Sequence, residues 1–477
     1  MTEKFINLTP CSERKRMQWT KKQLSIIAVV AITSFMGTFL ISSVNIALPA
    51  IEKDFQMTAV SLSWIITSFL LASAMFLLPV GRWGDLTGIR KIFKGGIIIF
   101  TIGSLLSGLA PGGFWLILFR FLQGVGAALT STTGPAILVS AFVPQQRGRV
   151  LGISVSAVYL GLAFGPFAGG ILTQHLGWRS LFFISTGLGI LTTLIAFRFL
   201  GKNEITTRGQ KKIHLRGTAW YMAGLIALVY GSSSIPAITG WLLMGGGAFA
   251  LVVFWVIETK SDYPVIETQL FSANRLFAYS NLAALVNYSA TFTIVFLLSL
   301  YLQKIQGLSP GNAGIILVAQ PAIMALFSPL AGKLSDRIQP RSLTTLGMSM
   351  CTLGLAAFSL LTPTTPHAVI IAILIWEGFG FALFSSPNMN TIMSSVDKTR
   401  YGVASGSAAT MRVLGQIISM TIATLFFAGF LNNHPFETVS DHLFMKVIHW
   451  GFMTFAILST TGIYFSYYRG KITRKKE

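Results

Sequence analysis

The chain has 477 residues, of which 53% are hydrophobic and only 11% charged, with a formal charge of +21; its mean hydropathy is +0.67. Soluble domains carry about 25% charged residues, so this composition excludes a soluble globular protein, which would lack the polar surface to stay dispersed. The basic excess must then be explained by where it lies along the chain.

A bilayer core about 30 Å thick needs roughly 20 apolar residues of helix. Fourteen such stretches occur, centred near residues 36, 71, 100, 125, 162, 190, 224, 247, 289, 323, 352, 381, 417 and 457. They lack the strict alternation of a membrane barrel, so the fold class is an all-α polytopic membrane protein. A basic tail occupies 1–23. The first span begins near Leu24 at full spanning length and without a small-residue cleavage site, which argues against a removable signal. Six spans fill 24–200. A basic central loop and two further spans fill 201–258. A loop and six more spans fill 259–468, and a basic tail covers 469–477. Placing the first tail in the cytoplasm puts 30 of the 36 Lys and Arg on that side. Lys53, Arg179, Lys304 and Lys446 fall on the opposite side, and Arg120 and Arg412 fall inside spans. This is the positive-inside pattern, with both termini cytoplasmic. The expected location is the cytoplasmic (inner or plasma) membrane, with the lipid bilayer as partner and no nucleic acid. Cys11 in the basic tail and Cys351 in an apolar span suggest no disulfide.

The chain repeats itself. "GRWGDLTGIRK" (81–91) closes the second span and "GKLSDRIQPR" (332–341) the tenth. Gly81, Asp85 and Arg90 recur as Gly332, Asp336 and Arg341, each 251 residues on, and Arg149 recurs as Arg400. Parallel repeats of this kind mark transporters. The spans near 224 and 247 have no counterpart, so the architecture reads 6 + 2 + 6.

These residues carry a resemblance. "GRWGDLTGIRK" resembles motif A of the major facilitator superfamily, "RFLQGVGAAL" (120–129) its motif B, and "GLAFGPFAGG" (161–170) the antiporter-linked motif C. "YLQKIQGLSPGNAG" and "FSSPNMNTIM" are similar to segments of its fourteen-helix drug:proton antiporters. The resemblance covers nearly the whole chain. It implies two six-helix bundles rocking about a central cavity, and export of lipophilic compounds against proton entry. Two positions depart from the pattern. Leu40, in "FLISSVNIALP" (39–49), stands where the family usually has an aspartate linked with proton or substrate handling, and Leu86 stands where motif A often has an arginine.

Physical chemistry gives each motif a role. Asp85 beside Arg90 and Lys91 is either a solvated surface pair worth under about 1 kcal/mol or, as the resemblance implies, part of a conformational latch. In the latch, Asp85 would lie against the positive N-terminus of a helix of the other half, with Gly81 and Gly88 permitting the tight turn. Gly161, Gly165, Gly169 and Gly170 flank Pro166 on one span; glycines at this spacing permit close helix packing, as ordinary packing or as a seal between halves. "QGVGAA" lies mid-span with no strand before it and is not a dinucleotide loop. Arg120, seven residues into the fourth span, is costly in lipid and needs a cavity or a partner. The resemblance ties it to proton coupling, and hydrogen bonds to carbonyls and to Gln123 are the alternative.

Glu377, in "LIWEGFGFALFSSP" (374–387), is the only one of the fifteen Asp and Glu that falls inside a predicted span. Ten residues into its span at 1.5 Å each, it lies about 15 Å deep, near the midplane. Arg412 is at similar depth in the next span. Glu377 can therefore form an ion pair with Arg412, carry protons, or bind a cationic substrate. Desolvation and a nearby arginine push a carboxyl in opposite directions. Gly378-Phe379-Gly380 matches Gly124-Val125-Gly126, which sets Glu377 opposite Gln123 on what would be cavity-facing helices. Ser42, Ser43, Asn45, Gln123, Asn287, Tyr288, Asn388, Asn390 and Gln416 are further candidates for the substrate cavity, each also explicable as a helix–helix hydrogen bond.

There is no HExxH, no P-loop and no nucleophile–base pair, so neither an enzyme nor a cofactor nor a metal is expected. The reading is a secondary transporter, expected as a monomer, exporting a lipophilic small molecule against protons by alternating access. Two alternatives stand beside it: a facilitator or symporter that imports a metabolite, and a transporter-like sensor or scaffold without transport.

Overall fold

A computed structural model describes residues 19–201, 215–261, 268–335, 337–396, 401–431 and 438–470. All regular structure among them is helical. The first half holds α1 (Lys21–Phe55), α2 (Ala59–Thr87), α3 (Ile89–Gly108), α4 (Gly113–Ala141), α5 (Pro144–Leu176) and α6 (Arg179–Phe199). Then come α7 (Leu215–Ser233), α8 (Ile238–Thr259) and the short α9 (Thr268–Ala273). The second half holds α10 (Arg275–Thr291), α11 (Thr293–Leu300) and a π-helical turn (Tyr301–Ile305), which run end to end. It continues with α12 (Pro310–Leu317) and α13 (Ala319–Ser335), again consecutive, then α14 (Pro340–Phe358), α15 (His367–Ser394), α16 (Tyr401–Leu431) and α17 (Asp441–Tyr468).

The helices begin where the sequence offers caps. Thr20 accepts from the Gln23 amide while the Gln23 side chain returns to the Thr20 amide, a capping box that starts α1. Asn274, Ser309 and Ser440 cap α10, α12 and α17 more simply, each side chain accepting from the amide three residues on, and Pro310 occupies the first turn of α12, where its missing N–H costs nothing. Among the described residues, eleven helices are long and apolar enough to cross a membrane. α3, α7 and α14, of 20, 19 and 19 residues, fall below that mark because charged or hydroxyl residues dilute them. Large side chains such as Leu194 and Leu242 stand 64% and 69% exposed, as a lipid-facing surface requires.

The sequence repeat reappears as repeated packing. In the first half a Cβ at Gly96 would meet Leu129 and the Gly126 carbonyl, and one at Gly103 would lie 2.8 Å from the Gln123 amide nitrogen. In the second half Gly347 meets Gly380 and Phe384, and Gly354 meets Glu377. Gly124 abuts Phe69 and Ala72 of α2, just as Gly378 abuts Gln320 and Ile323 of α13. Gly354 and Glu377 lie 251 and 254 residues after Gly103 and Gln123. The pairing of α3 with α4 is thus rebuilt by α14 and α15.

The halves meet along a seam. α1 and α5 of the first half touch α11, α12 and α13 of the second, and α2 touches α16. Several polar contacts lie toward the end where α1 terminates: Ser299 donates to the Asn45 carbonyl (2.8 Å), Gln303 to the Ile46 carbonyl (3.0 Å), and Ser63 pairs with Thr424 (2.9 Å). α7 packs on both α2 and α16, and the Tyr221 hydroxyl donates to the Ala74 carbonyl.

Candidate functional site

Arg120 is wholly buried between α2, α3 and α4. Its Nε donates to the Ile65 carbonyl at 3.0 Å, its Nη1 donates to Gln123 Oε1, and its guanidinium lies 4.4 Å over the Phe69 ring. Gln123 in turn donates to Ser104 Oγ at 2.7 Å. Only Nη2 of this group lacks a partner. Carbonyl, amide, hydroxyl and ring together replace the water that a guanidinium needs at this depth.

Glu377 takes the matching place in the second half with a different outcome. It is wholly buried against Gly354 of α14, and neither carboxyl oxygen has a hydrogen-bond partner. The Cys351 thiol lies beside it without a well-directed bond, and on its other side Cys351 adjoins Asn287 of α10. Asn287 donates to Met348 Sδ at 3.1 Å and leaves its own Oδ1 unpartnered. The ion pair with Arg412, one of the three alternatives for Glu377, is not made. α15 and α16 are neighbours in sequence, yet α15 packs chiefly on α13 and α14, which turns Glu377 toward α14. Glu377 and Gln123 are each pressed on a glycine of the adjoining helix, Gly354 and Gly103. Glu377 is also not the only buried acid, since Glu52 and Glu258 are buried in the last turns of α1 and α8.

Arg412 lies elsewhere. Partly exposed on α16, it lies three residues from Gly415, which packs on Tyr288 of α10, and Tyr288 shares an apolar cluster with Tyr159 of α5. Tyr159 and Ser385 bond across the seam at 3.1 Å. The Tyr288 and Phe381 rings meet edge to face at 5.5 Å, with Met324 in the same apolar cluster. This group joins both halves at mid-depth. Tyr159, Ser385, Phe381 and Met324 escape sequence reasoning, because lone aromatic, hydroxyl and thioether residues in apolar spans carry no spacing signal.

The other predicted residues divide by place. Gly161, Gly165 and Gly169 press α5 onto Thr38, Ser42 and Ser43 of α1, and Ser42 and Ser43 donate to the Leu162 and Gly165 carbonyls. The strip then crosses the seam: a Cβ at Gly170 or Gly314 would overlap the Pro310 or Pro166 carbonyl, and Gln174 accepts from the Gly311 amide at 3.1 Å. α5 runs unbroken through Pro166. Asn45 is buried with its Oδ1 unpartnered, whereas Asn390 donates to Ser335. Gln416 is partly exposed on α16.

Asn388 belongs to a separate knot. Arg469, 1% exposed, donates to Asn388 Oδ1 and Thr344 Oγ1, both at 2.8 Å, while Asn388 donates to the Ser280 carbonyl. Arg469 therefore opens no solvated tail, because the last turn of α17 folds it onto α14 and α15. Of the motif A residues, Gly81 and Gly332 lie six and three residues before the ends of α2 and α13, Gly88 adopts φ +98° between α2 and α3, Arg90 is buried, and Arg341 stacks 4.0 Å over Tyr467. The Asp85 side chain and Asp336 lie outside the described residues.

Comparison with known proteins agrees with this geometry. The Major Facilitator Superfamily model matches residues 29–420. A riboflavin transporter, RibZ of Clostridioides difficile, is 32% identical over 413 residues, covering 86% of this chain and 88% of that one. The multidrug resistance protein Stp of Mycobacterium tuberculosis is 29% identical, covering 84% and 74%, and the cephamycin export protein CmcT of Amycolatopsis lactamdurans is 29% identical, covering 90% of each. Among solved structures, an inward-facing bacterial homologue of the lysosomal transporter Spinster superposes with TM-score 0.68 over 95% of this chain and 98% of that one at 15% identity. An inward-open form of the xylose transporter XylE from E. coli gives 0.64 over 95% and 98% at 12% identity. A multi-pass helical membrane protein built from two repeated bundles about a polar seam, matched over most of its length, this chain belongs to the major facilitator superfamily.

Proposed function

We propose that the protein exports lipophilic small molecules across the cytoplasmic membrane in exchange for protons, by alternating access, with fourteen membrane-crossing helices and both termini in the cytoplasm. The observation that carries proton exchange is Glu377. A carboxyl at membrane depth with no ionic partner and only the Cys351 thiol beside it is costly to keep as an anion, and this cost is what would make it a proton carrier. Cys351 and Asn287 connect it to α10 and hence to the seam, where rocking of the halves would change its surroundings and release the proton. Arg120 and Arg412 act differently in this scheme: Arg120 fixes α4 on α2 and α3, and Arg412 faces the pathway. The resistance and export proteins among the relatives support outward transport. Motif A and its repeat, 251 residues apart, are the proposed latch at the cytoplasmic end.

The test is transport by proteoliposomes under an imposed pH gradient, with ethidium and riboflavin as probes, paired with compound susceptibility of cells with and without the protein. Movement of a probe against its gradient, lost when the pH gradient is collapsed, is expected. Transport indifferent to that gradient would overturn the coupling. The similarity to a riboflavin transporter favours a second reading, uptake of a metabolite on the same fold; inward accumulation of riboflavin accompanied by proton entry would select it.

A further inference from the structure

The charge balance of the seam points to the kind of substrate it takes. Arg412 sits at mid-depth on α16, twelve residues into a 31-residue helix. It is partly exposed, and no carboxylate pairs with it among the described residues. The acids within the helices are remote: Glu52, Asp54, Asp85, Glu258 and Asp441 all occupy end turns. Glu377 lies four residues from Phe381 and eight from Ser385, about 6 and 12 Å along α15, but its carboxyl is turned toward Gly354 of α14. Arg120 has its own partners within the first half. Leu40, where an acid would otherwise reach the pathway from α1, is wholly buried and apolar. Gly415, three residues along α16 from Arg412, packs directly on Tyr288, and Tyr288 shares one cluster with Tyr159, which bonds to Ser385; these two phenols and a hydroxyl can all donate a hydrogen bond. Beside them lie Phe381 and Met324, an aromatic face and a deformable thioether suited to an apolar body.

We propose that Arg412, with Tyr288, Tyr159 and Ser385, forms an anion subsite in the pathway, and that the transported compound is a lipophilic organic monoanion such as a carboxylate rather than a cation. The guanidinium would bind the carboxylate, the hydroxyls would complete its hydrogen bonds, and the apolar body would lie on Phe381 and Met324. Since Tyr159 belongs to the first half and the other residues to the second, such a ligand would bridge the two halves. The inference rests on the transport reading given above.

The test uses three pyrene probes of similar size: pyrenebutyrate, its uncharged amide and the corresponding pyrenylbutyl ammonium. Their binding to the purified full-length protein in lipid nanodiscs is measured relative to empty nanodiscs. A charge-assisted hydrogen bond in a desolvated site predicts roughly 10- to 100-fold tighter binding of the acid than of the ammonium. Arg412→Gln should bring the acid down to the level of the amide while leaving the amide itself unchanged, and Arg412→Lys should keep the order. A wild-type protein that binds the ammonium as tightly as the acid overturns the proposal without reference to any variant. An Arg412→Gln protein that loses all three probes alike overturns it too. Transport of the same probes in proteoliposomes separates the two readings: acid-selective binding with no transport of any probe would remove the transporter reading and leave the subsite, whereas transport that favours the ammonium would remove the subsite and leave the transporter.

Discussion

The α3–α4 pair and the α14–α15 pair are one piece of architecture used twice, with opposite chemistry. In each, a glycine of the first helix lies against the second: Gly103 against the backbone and Cβ of Gln123, and Gly354 against the carboxyl side chain of Glu377. In the first half that side chain is neutral and joins a network running from Ser104 to the Ile65 carbonyl through Arg120. In the second, position 374, four residues before Gly378 as Arg120 is four before Gly124, holds Leu374, and Glu377 is left without a partner. A buried polar network that is nearly complete rigidifies a structure, while an unpartnered titratable group stores a charge change for later use. In the proposed mechanism one half holds still and the other responds.

The largest effect expected from breaking this contrast is on stability in the first half. Arg120→Ala removes the donor to Gln123 and to the Ile65 carbonyl, leaving two buried acceptors unsatisfied at roughly 1–3 kcal/mol each and opening a cavity as well. A loss of about 3–5 kcal/mol should show as a drop in thermal stability of the purified protein by light scattering or fluorescence. An unchanged midpoint would mean that the network is not structural. Arg469→Leu should act in the same direction but less, about 2–3 kcal/mol, because Asn388 and Thr344 each lose one donor. The corresponding place in the first half is hydrocarbon: Gly134 touches Val30 and Phe93. The double variant Arg469→Leu, Asn388→Gly, which restores that apolar pattern, should regain part of the loss, and failure to regain any would deny the equivalence.

Glu377→Gln sharpens the other side. The amide has nearly the shape of the neutral acid, so stability should change by less than about 1 kcal/mol, well below the Arg120 effect. Gradient-driven transport should fall about tenfold or more while probe binding persists. If pH-gradient dependence survives unchanged in proteoliposomes, Glu377 is not the coupling group. The complementary exchange Gln123→Glu places an acid beside Arg120, where it would be paired, and should add no new pH dependence.

What was legible in the sequence follows from what one dimension can record. Runs of apolar residues and a shift of 251 gave the helices and the two-fold construction, because length and recurrence are linear properties. The equivalence of Gln123 with Glu377 was also readable, from Gly-x-Gly after each. The direction each side chain faces was not. Glu377 and Arg412 have matching depths on consecutive helices, yet the helix that receives Glu377 is the preceding one, which only packing decides. Arg469 reads as the first residue of a basic tail, and its burial depends on Asn388, Thr344 and Ser280 converging from three other helices. Tyr159 and Ser385 are separated by 226 residues and belong to different halves, so no local pattern could join them.

The smallest effect lies at the rim and sets the scale for the rest. Asp54 accepts from Arg179 at 3.0 Å and from Trp178 Nε1 at 2.8 Å, joining α1 to α6 where both meet the aqueous boundary. Both partners of the ion pair are substantially exposed, 39% and 44%. Solvent and salt screen such a pair to under about 1 kcal/mol, and Arg179 keeps its stacking on Trp178 and Phe55 when the acid is gone. Asp54→Asn should therefore shift the thermal midpoint by no more than a degree or two, and less still at high salt. It leaves transport intact, because a carboxylate already solvated at the end of α1 has neither the burial nor the isolation that sets Glu377 apart.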